Sequence, residues 1–158
     1  MKRYSFAASL GLALVVVLGL TGPAAAQEQV PFKGSLQGVV TITPLNPPVL
    51  SVLVKAAGNA THLGHYTLTY QVVVDFTFSA TVTAQFTAAN GDQLFAVGTG
   101  QGTPTATPGV FDIVAHYTIV GGTGRFEHTS GQLTEQRVLD TNTGLTSGTY
   151  EGTIALDK

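Results

Sequence analysis

Residues 66–88 read YTLTYQVVVDFTFSATVTAQFTA, and every even-numbered position from Tyr66 to Ala88 is apolar. The odd positions are polar apart from Val73, and most of them are threonine. A period of two puts alternate side chains on opposite faces of a strand, so one face is buried and the other is wet. The energies favour the even face. A buried hydroxyl or amide without a partner costs about 1–3 kcal/mol, whereas a buried Val, Leu or Phe contributes about 1.5–3 kcal/mol. The whole even row, Phe76 and Phe78 included, is therefore expected to face inward. One strand of this length would span roughly 75 Å at about 3.3 Å per residue, too long for a small domain. A bend is expected between Asp75 and Ala80. Ala89-Asn90-Gly91-Asp92 then reads as a hairpin with a two-residue turn, because Asn-Gly tolerates positive φ.

The same alternation extends outward in both directions. Upstream, Phe32, Gly34, Leu36, Gly38, Val40 and Ile42 share one parity, and after the proline-rich turn Pro44 to Pro48 it continues through Leu50, Val52, Val54 and Ala56. Downstream, Leu94 to Thr99 is a strand and Gly100 to Gly109, rich in Gly, Thr and Pro, reads as a loop. Phe111, Ile113, Ala115, Tyr117 and Ile119 form the next apolar row. Gly121 to Gly131 interrupts it, Gln132 to Asp140 resumes, Asn142-Thr143-Gly144 turns, and Tyr150 to Leu156 completes the pattern. No window shows a helical period. About eight strands with one apolar face each, and no helix to cover a second face, predict an all-β domain. Such a sheet closes on itself as a single antiparallel barrel, with a β-sandwich as the alternative.

The first residues predict export. Lys2 and Arg3 precede an apolar run from Phe6 to Leu20, then Thr21-Gly22-Pro23 and Ala24-Ala25-Ala26. That order is a secretory signal cleaved after Ala26, and an apolar run of about 15 residues falls short of the roughly 20 a membrane span needs. A signal peptide over 1–26 and a β domain over 27–158 are expected, in a secreted or periplasmic protein with no membrane segment after cleavage. In the mature chain five basic residues face nine acidic ones, a net charge of −4. A mildly acidic, lysine-poor surface excludes nucleic acid and anionic lipid as partners. There is no cysteine, which excludes thiol catalysis, zinc–thiolate sites and disulfides.

Ile119-Val120-Gly121-Gly122-Thr123-Gly124-Arg125-Phe126-Glu127-His128-Thr129-Ser130-Gly131 resembles the glycine-rich segment of the allene oxide cyclase and dirigent barrel superfamily. The stretches at 58–64 and 86–92 are similar to uncharacterised secreted bacterial members. The resemblance implies an eight-stranded antiparallel barrel. It brings no activity, because the lumen residues those proteins use have no residue-by-residue match here. Within this segment glycines permit tight turns and Phe126 is placed to plug a barrel end. No Lys-Ser/Thr follows, so it is not a phosphate loop.

Few residues suggest chemistry. His62 and His65, three apart, reach one metal only if Leu63-Gly64 turns; His62 is expected instead to bond a loop carbonyl. His116 and His128 read as solvated, as do Asp75, Asp112 and Glu151. Asn59-Ala60-Thr61 matches a glycosylation sequon. Glu135 and Arg137 share parity with Leu133 and Leu139. If those leucines face in, a carboxylate and a guanidinium enter the lumen and form the one catalytic candidate. The alternative, and the expected one, has Thr134, Gln136 and Val138 inside and both charges in water. The inward row would line a cavity with Tyr66, Tyr70, Phe86, Tyr117 and Tyr150, together with Phe76 and Phe111. These aromatics, interleaved with small residues, point to a non-catalytic barrel binding a small apolar molecule, with no cofactor. The alternatives are an isomerase or cyclase of the allene oxide cyclase type acting through Glu135 and Arg137, and an extracellular interaction module using the threonine-rich outer face.

Overall fold

A computed structural model describes residues 28–156; the leader assigned to 1–26 lies outside the described residues. Eight strands follow one another: β1 (Gln29–Pro44), β2 (Leu50–Ala60), β3 (Gly64–Val74), β4 (Ser79–Ala88), β5 (Gln93–Pro104), β6 (Val110–Gly122), β7 (Ser130–Asp140) and β8 (Leu145–Ala155). Each pairs antiparallel with the next, and β1 pairs with β8, so the sheet is a closed barrel. The sandwich alternative is thereby set aside.

The quoted stretch folds as β3 and β4. Tyr66, Leu68, Tyr70 and Val72 on one strand and Val82, Ala84, Phe86 and Ala88 on the other are all buried. The bend falls at 75–78, where Asp75 Oδ1 accepts hydrogen bonds from the backbone N–H groups of Thr77 (2.7 Å) and Ser79 (3.2 Å). That side-chain cap takes Phe76 and Phe78 out of the alternation. Phe76 is 73% exposed and Phe78, at φ 60°, is 44% exposed, so the expected inward run stops at Val74 and restarts at Ala80.

Two further expectations are corrected. The segment from Gly100 to Pro104 is not loop but the end of β5, and only Thr105 to Gly109 turns. The hairpin at Asn90-Gly91 is a three-residue connection closed by Ala88 and Asp92, with the Asp92 carbonyl accepting from Ala88 N–H at 2.9 Å. Among its loop residues only Gly91 has positive φ, at 90°.

Inward glycines are paired with large residues on the facing strand. Gly98 lies opposite Tyr117, where a Cβ would stand 2.8 Å from the tyrosine ring. Gly148 lies opposite Arg137 and Gly152 opposite Leu133, with similarly little room. Small-against-large pairing of this kind fills a narrow lumen with bulky side chains.

The two ends of the barrel differ. At one end the β6–β7 connection carries a short 3-10 turn, Gly124–Phe126, and the Phe126 ring is fully buried, as expected. Leu63 from the β2–β3 turn is buried there too, and Gln93 and Thr123 exchange hydrogen bonds that pin the connection down. The other end, formed by the β1–β2, β3–β4, β5–β6 and β7–β8 turns, carries Ile42, Leu45, Phe76 and Phe78 exposed on its rim.

Candidate functional site

The lumen of the closed half is solid. Tyr66, Tyr70, Phe86 and Tyr150 are at most 1% exposed and pack ring against ring, with Tyr66–Phe86 centroids at 5.5 Å and Phe86–Tyr150 at 5.6 Å. Tyr66 donates its hydroxyl to the Ser35 carbonyl at 2.8 Å. Tyr70 and Tyr117 stack with centroids 5.8 Å apart.

Glu135 stands in the middle of these rings, and its side chain has no exposed surface. Tyr70 donates to its Oε1 at 3.0 Å and Tyr117 to its Oε2 at 2.9 Å, while the Tyr70 and Tyr150 hydroxyls hydrogen-bond each other. Arg137 follows on the same face of β7, with Nε 3.3 Å from Glu135 Oε1. That approach is an ion pair without hydrogen-bond alignment, so the buried Nε has no hydrogen-bond acceptor. Arg137 Nη1 donates to Thr146 Oγ1 at 3.1 Å, and Thr146 passes the chain on to the Val138 carbonyl at 2.7 Å. The expected outward orientation of Glu135 and Arg137 is thus corrected. Thr134, Gln136 and Val138 face out, because the tyrosines supply the donors that make a buried carboxylate tolerable.

Burial pushes the Glu135 carboxyl above the ordinary glutamate range, against the opposing pull of Arg137 and the Tyr117 hydroxyl. Burial and then the Glu135 charge push the Tyr117 hydroxyl up, and burial likewise raises Tyr66 and Tyr150. These three hydroxyls therefore stay protonated throughout the neutral range.

Above this layer the lumen opens into a cavity of about 130 Å³ that reaches the apolar rim. Val52, Val72, Val82, Ala80 and Phe111 form part of its wall, and Tyr117 and Arg137 are its polar contributors from the buried network. Of the seven aromatics expected to line a cavity, Tyr117 and Phe111 do so; Phe76 is turned to solvent, and Tyr66, Tyr70, Phe86 and Tyr150 lie below the cavity in the packed layer. Ala80, one of the small inward residues expected, is part of the wall; sequence reasoning passed over Gly100 and Gly102, which it assigned to a loop. Their even parity, continuing from Leu94, Ala96 and Gly98 along β5, was the available signal.

The histidines are not gathered. His62, at φ 65°, places Nε2 3.2 Å from the Pro31 carbonyl, a backbone carbonyl as expected but one on strand β1 rather than in a loop. His65 and His128 are exposed, and His116 contacts Thr134 Oγ1 on the outer wall. Among the described residues no three His, Cys, Asp or Glu side chains are grouped to hold a metal ion.

The closed eight-stranded antiparallel barrel, with its strands in sequence order, is similar in fold to dirigent proteins. Among solved structures the chain is similar to the pterocarpan synthase dirigent protein GePTS1, with a TM-score of 0.58 and 14% identity over 96% of this chain and 100% of that one. It is also similar to the pterocarpan synthase dirigent protein PsPTS1, with a TM-score of 0.57 and 13% identity over 83% and 97% of the two chains. At such identity the likeness is one of fold. No family model matches the chain, and no curated protein matches it in sequence.

Proposed function

We propose that this is an exported, non-catalytic barrel that binds a small apolar molecule in the open half of its lumen. The observation carrying this reading is the 130 Å³ cavity, walled by aliphatic and aromatic side chains and reaching an apolar rim at one end only. Its volume is comparable to the roughly 150 Å³ at which an apolar protein cavity holds one benzene ring. The dirigent-like shape is compatible with a lumen site.

Catalysis of the isomerase or cyclase type is the second reading, favoured by the raised pKa of the buried Glu135. It fits the geometry less well. Glu135 does not line the cavity, and both of its oxygens accept tyrosine hydroxyls.

Titration with toluene, followed through the methyl NMR signals of Val72 and Val82, tests the binding reading. Saturable shifts are expected in the wild type and none in Ala80→Phe, whose ring would fill the mouth. Shifts confined to outer-wall valines such as Val97 would sink it. Export is tested by sequencing the N-terminus of protein recovered outside the cytoplasm, with Gln27 expected as the first residue.

A further inference from the structure

One aromatic side chain at the mouth of the cavity is carried by a backbone that disfavours it. We infer that Phe78 is the specificity-determining residue of the lumen: its ring shortens the cavity at the rim and limits the ligand to a single ring. The inference rests on the lumen-binding reading and deepens it.

Three observations carry it. The first is position. Phe78 lines the cavity and is 44% exposed, so it stands between the lumen and solvent. It packs against Phe111, another wall residue, with ring centroids 5.5 Å apart. Strand β5 runs between the two, and Gly102 at that level has no side chain to hold the rings apart; a Cβ there would stand 3.6 Å from that of Phe78.

The second is the backbone. Phe78 has φ 60°, a left-handed conformation that bulky residues rarely adopt and that glycine takes freely. The turn nevertheless fixes a phenylalanine there. Phe78 N–H donates to the Asp75 carbonyl at 3.1 Å, and the Phe78 carbonyl accepts from Gly102 N–H at 3.0 Å. Gln101 Nε2 donates to the Thr77 carbonyl at 2.9 Å. Burial does not account for the choice of residue, because nearly half of Phe78 is in solvent. Strain held in place by its surroundings is a mark of a working position, here the placing of a ring over the opening.

The third is the rest of the wall. Apart from Phe78 and Thr141, every wall residue belongs to a strand of the closed barrel, whose backbone is held by its ladders. The cavity's 130 Å³ is close to the roughly 150 Å³ that holds one benzene ring, so a second fused ring must pass out through the mouth. Phe78 stands in its way.

Binding of toluene and naphthalene to the wild type, Phe78→Gly and Phe76→Ala, followed through the methyl NMR signals of Val72 and Val82, tests the assignment. Phe78→Gly removes the ring and keeps the turn, since glycine adopts this φ without strain. The wild type should bind toluene about tenfold more tightly than naphthalene, and Phe78→Gly should raise the naphthalene-to-toluene affinity ratio by about tenfold or more. Phe76→Ala removes a ring from the same turn that does not line the cavity, and should leave the ratio at its wild-type value. If the ratio is unchanged in Phe78→Gly or shifts equally in Phe76→Ala, the inference is overturned while the cavity reading stands. The same holds if the wild type already takes naphthalene as tightly as toluene. If toluene does not bind the wild type, both fall.

Discussion

Tyr117 donates its hydroxyl to Glu135 Oε2 at 2.9 Å, and the carboxylate that receives it is fully buried. The bond couples β6 to β7 inside the lumen and ties the stability of the barrel to pH. Burial raises the Glu135 pKa in the folded state above its unfolded value of about 4.3. An acid raised in this way binds its proton more tightly when folded. Its stabilising contribution is fully present below the unfolded value and is lost as pH rises through the folded one. Glu135→Gln has no such proton to lose. The stability difference, wild type minus Glu135→Gln, should therefore decline as pH climbs from about 4 through the raised folded value. Urea melts of both proteins across that range measure it, and a difference that grows with pH would contradict the assignment.

Leu68 and Thr67 are neighbours on β3 that face opposite ways, Leu68 at 2% exposure and Thr67 in solvent. Leu68→Asp buries a carboxylate without a partner and should cost about 4 kcal/mol or more, whereas Thr67→Asp should stay near 0.5 kcal/mol. Equal effects in chemical denaturation would mean that the strand register is wrong.

Gly91 and Gly152 resist substitution for different reasons. At Gly91, φ is 90° and a Cβ would meet nothing within 4 Å, so Gly91→Val should cost about 1–3 kcal/mol through the backbone alone. Gly152 has ordinary strand torsions, yet its Cβ would lie 2.0 Å from the Gln132 carbonyl oxygen. Gly152→Ala must push β7 and β8 apart and should be the more damaging of the two. Thermal melts that reverse this order would place the crowding elsewhere.

Phe126 closes the plugged end and has no exposed surface. Phe126→Ala should lose about 3–5 kcal/mol. Arg125, 4.8 Å over the same ring and 3.6 Å from Asp92, lies at the surface, so Arg125→Ala should lose less than about 1 kcal/mol. Denaturant midpoints of the two variants provide the comparison.

The alternation from Tyr66 to Ala88 was enough to predict strands, a bend and an inward face. What it could not predict was where a side chain would override it. Asp75 caps the bend through its own carboxylate, and Phe76 is thereby turned to solvent despite its parity. Gly100 and Gly102 resemble loop by composition but are strand, paired with Ala115 and Ile113 on β6, and they wall the cavity. Glu135 and Arg137 were ambiguous for a related reason. Their inward orientation depends on hydroxyls from Tyr70, Tyr117 and Thr146, which arrive on three other strands. No local pattern around residue 135 reveals those partners.

Seven of the eight strand ladders join neighbours in the chain, and only the β1–β8 ladder, from Gln29 opposite Ala155 to Val39 opposite Leu145, links the far ends of the barrel. The seven can form as local hairpins, each with a modest loop-closure cost, while the eighth must wait for nearly the whole domain. Until it forms, the molecule is an open sheet with two unpaired edges, β1 and β8, a template for adding strands from other chains. Closure at this one seam is thus what separates a self-contained sheet from one that adds strands, and weakening it would reveal itself first as aggregation during refolding.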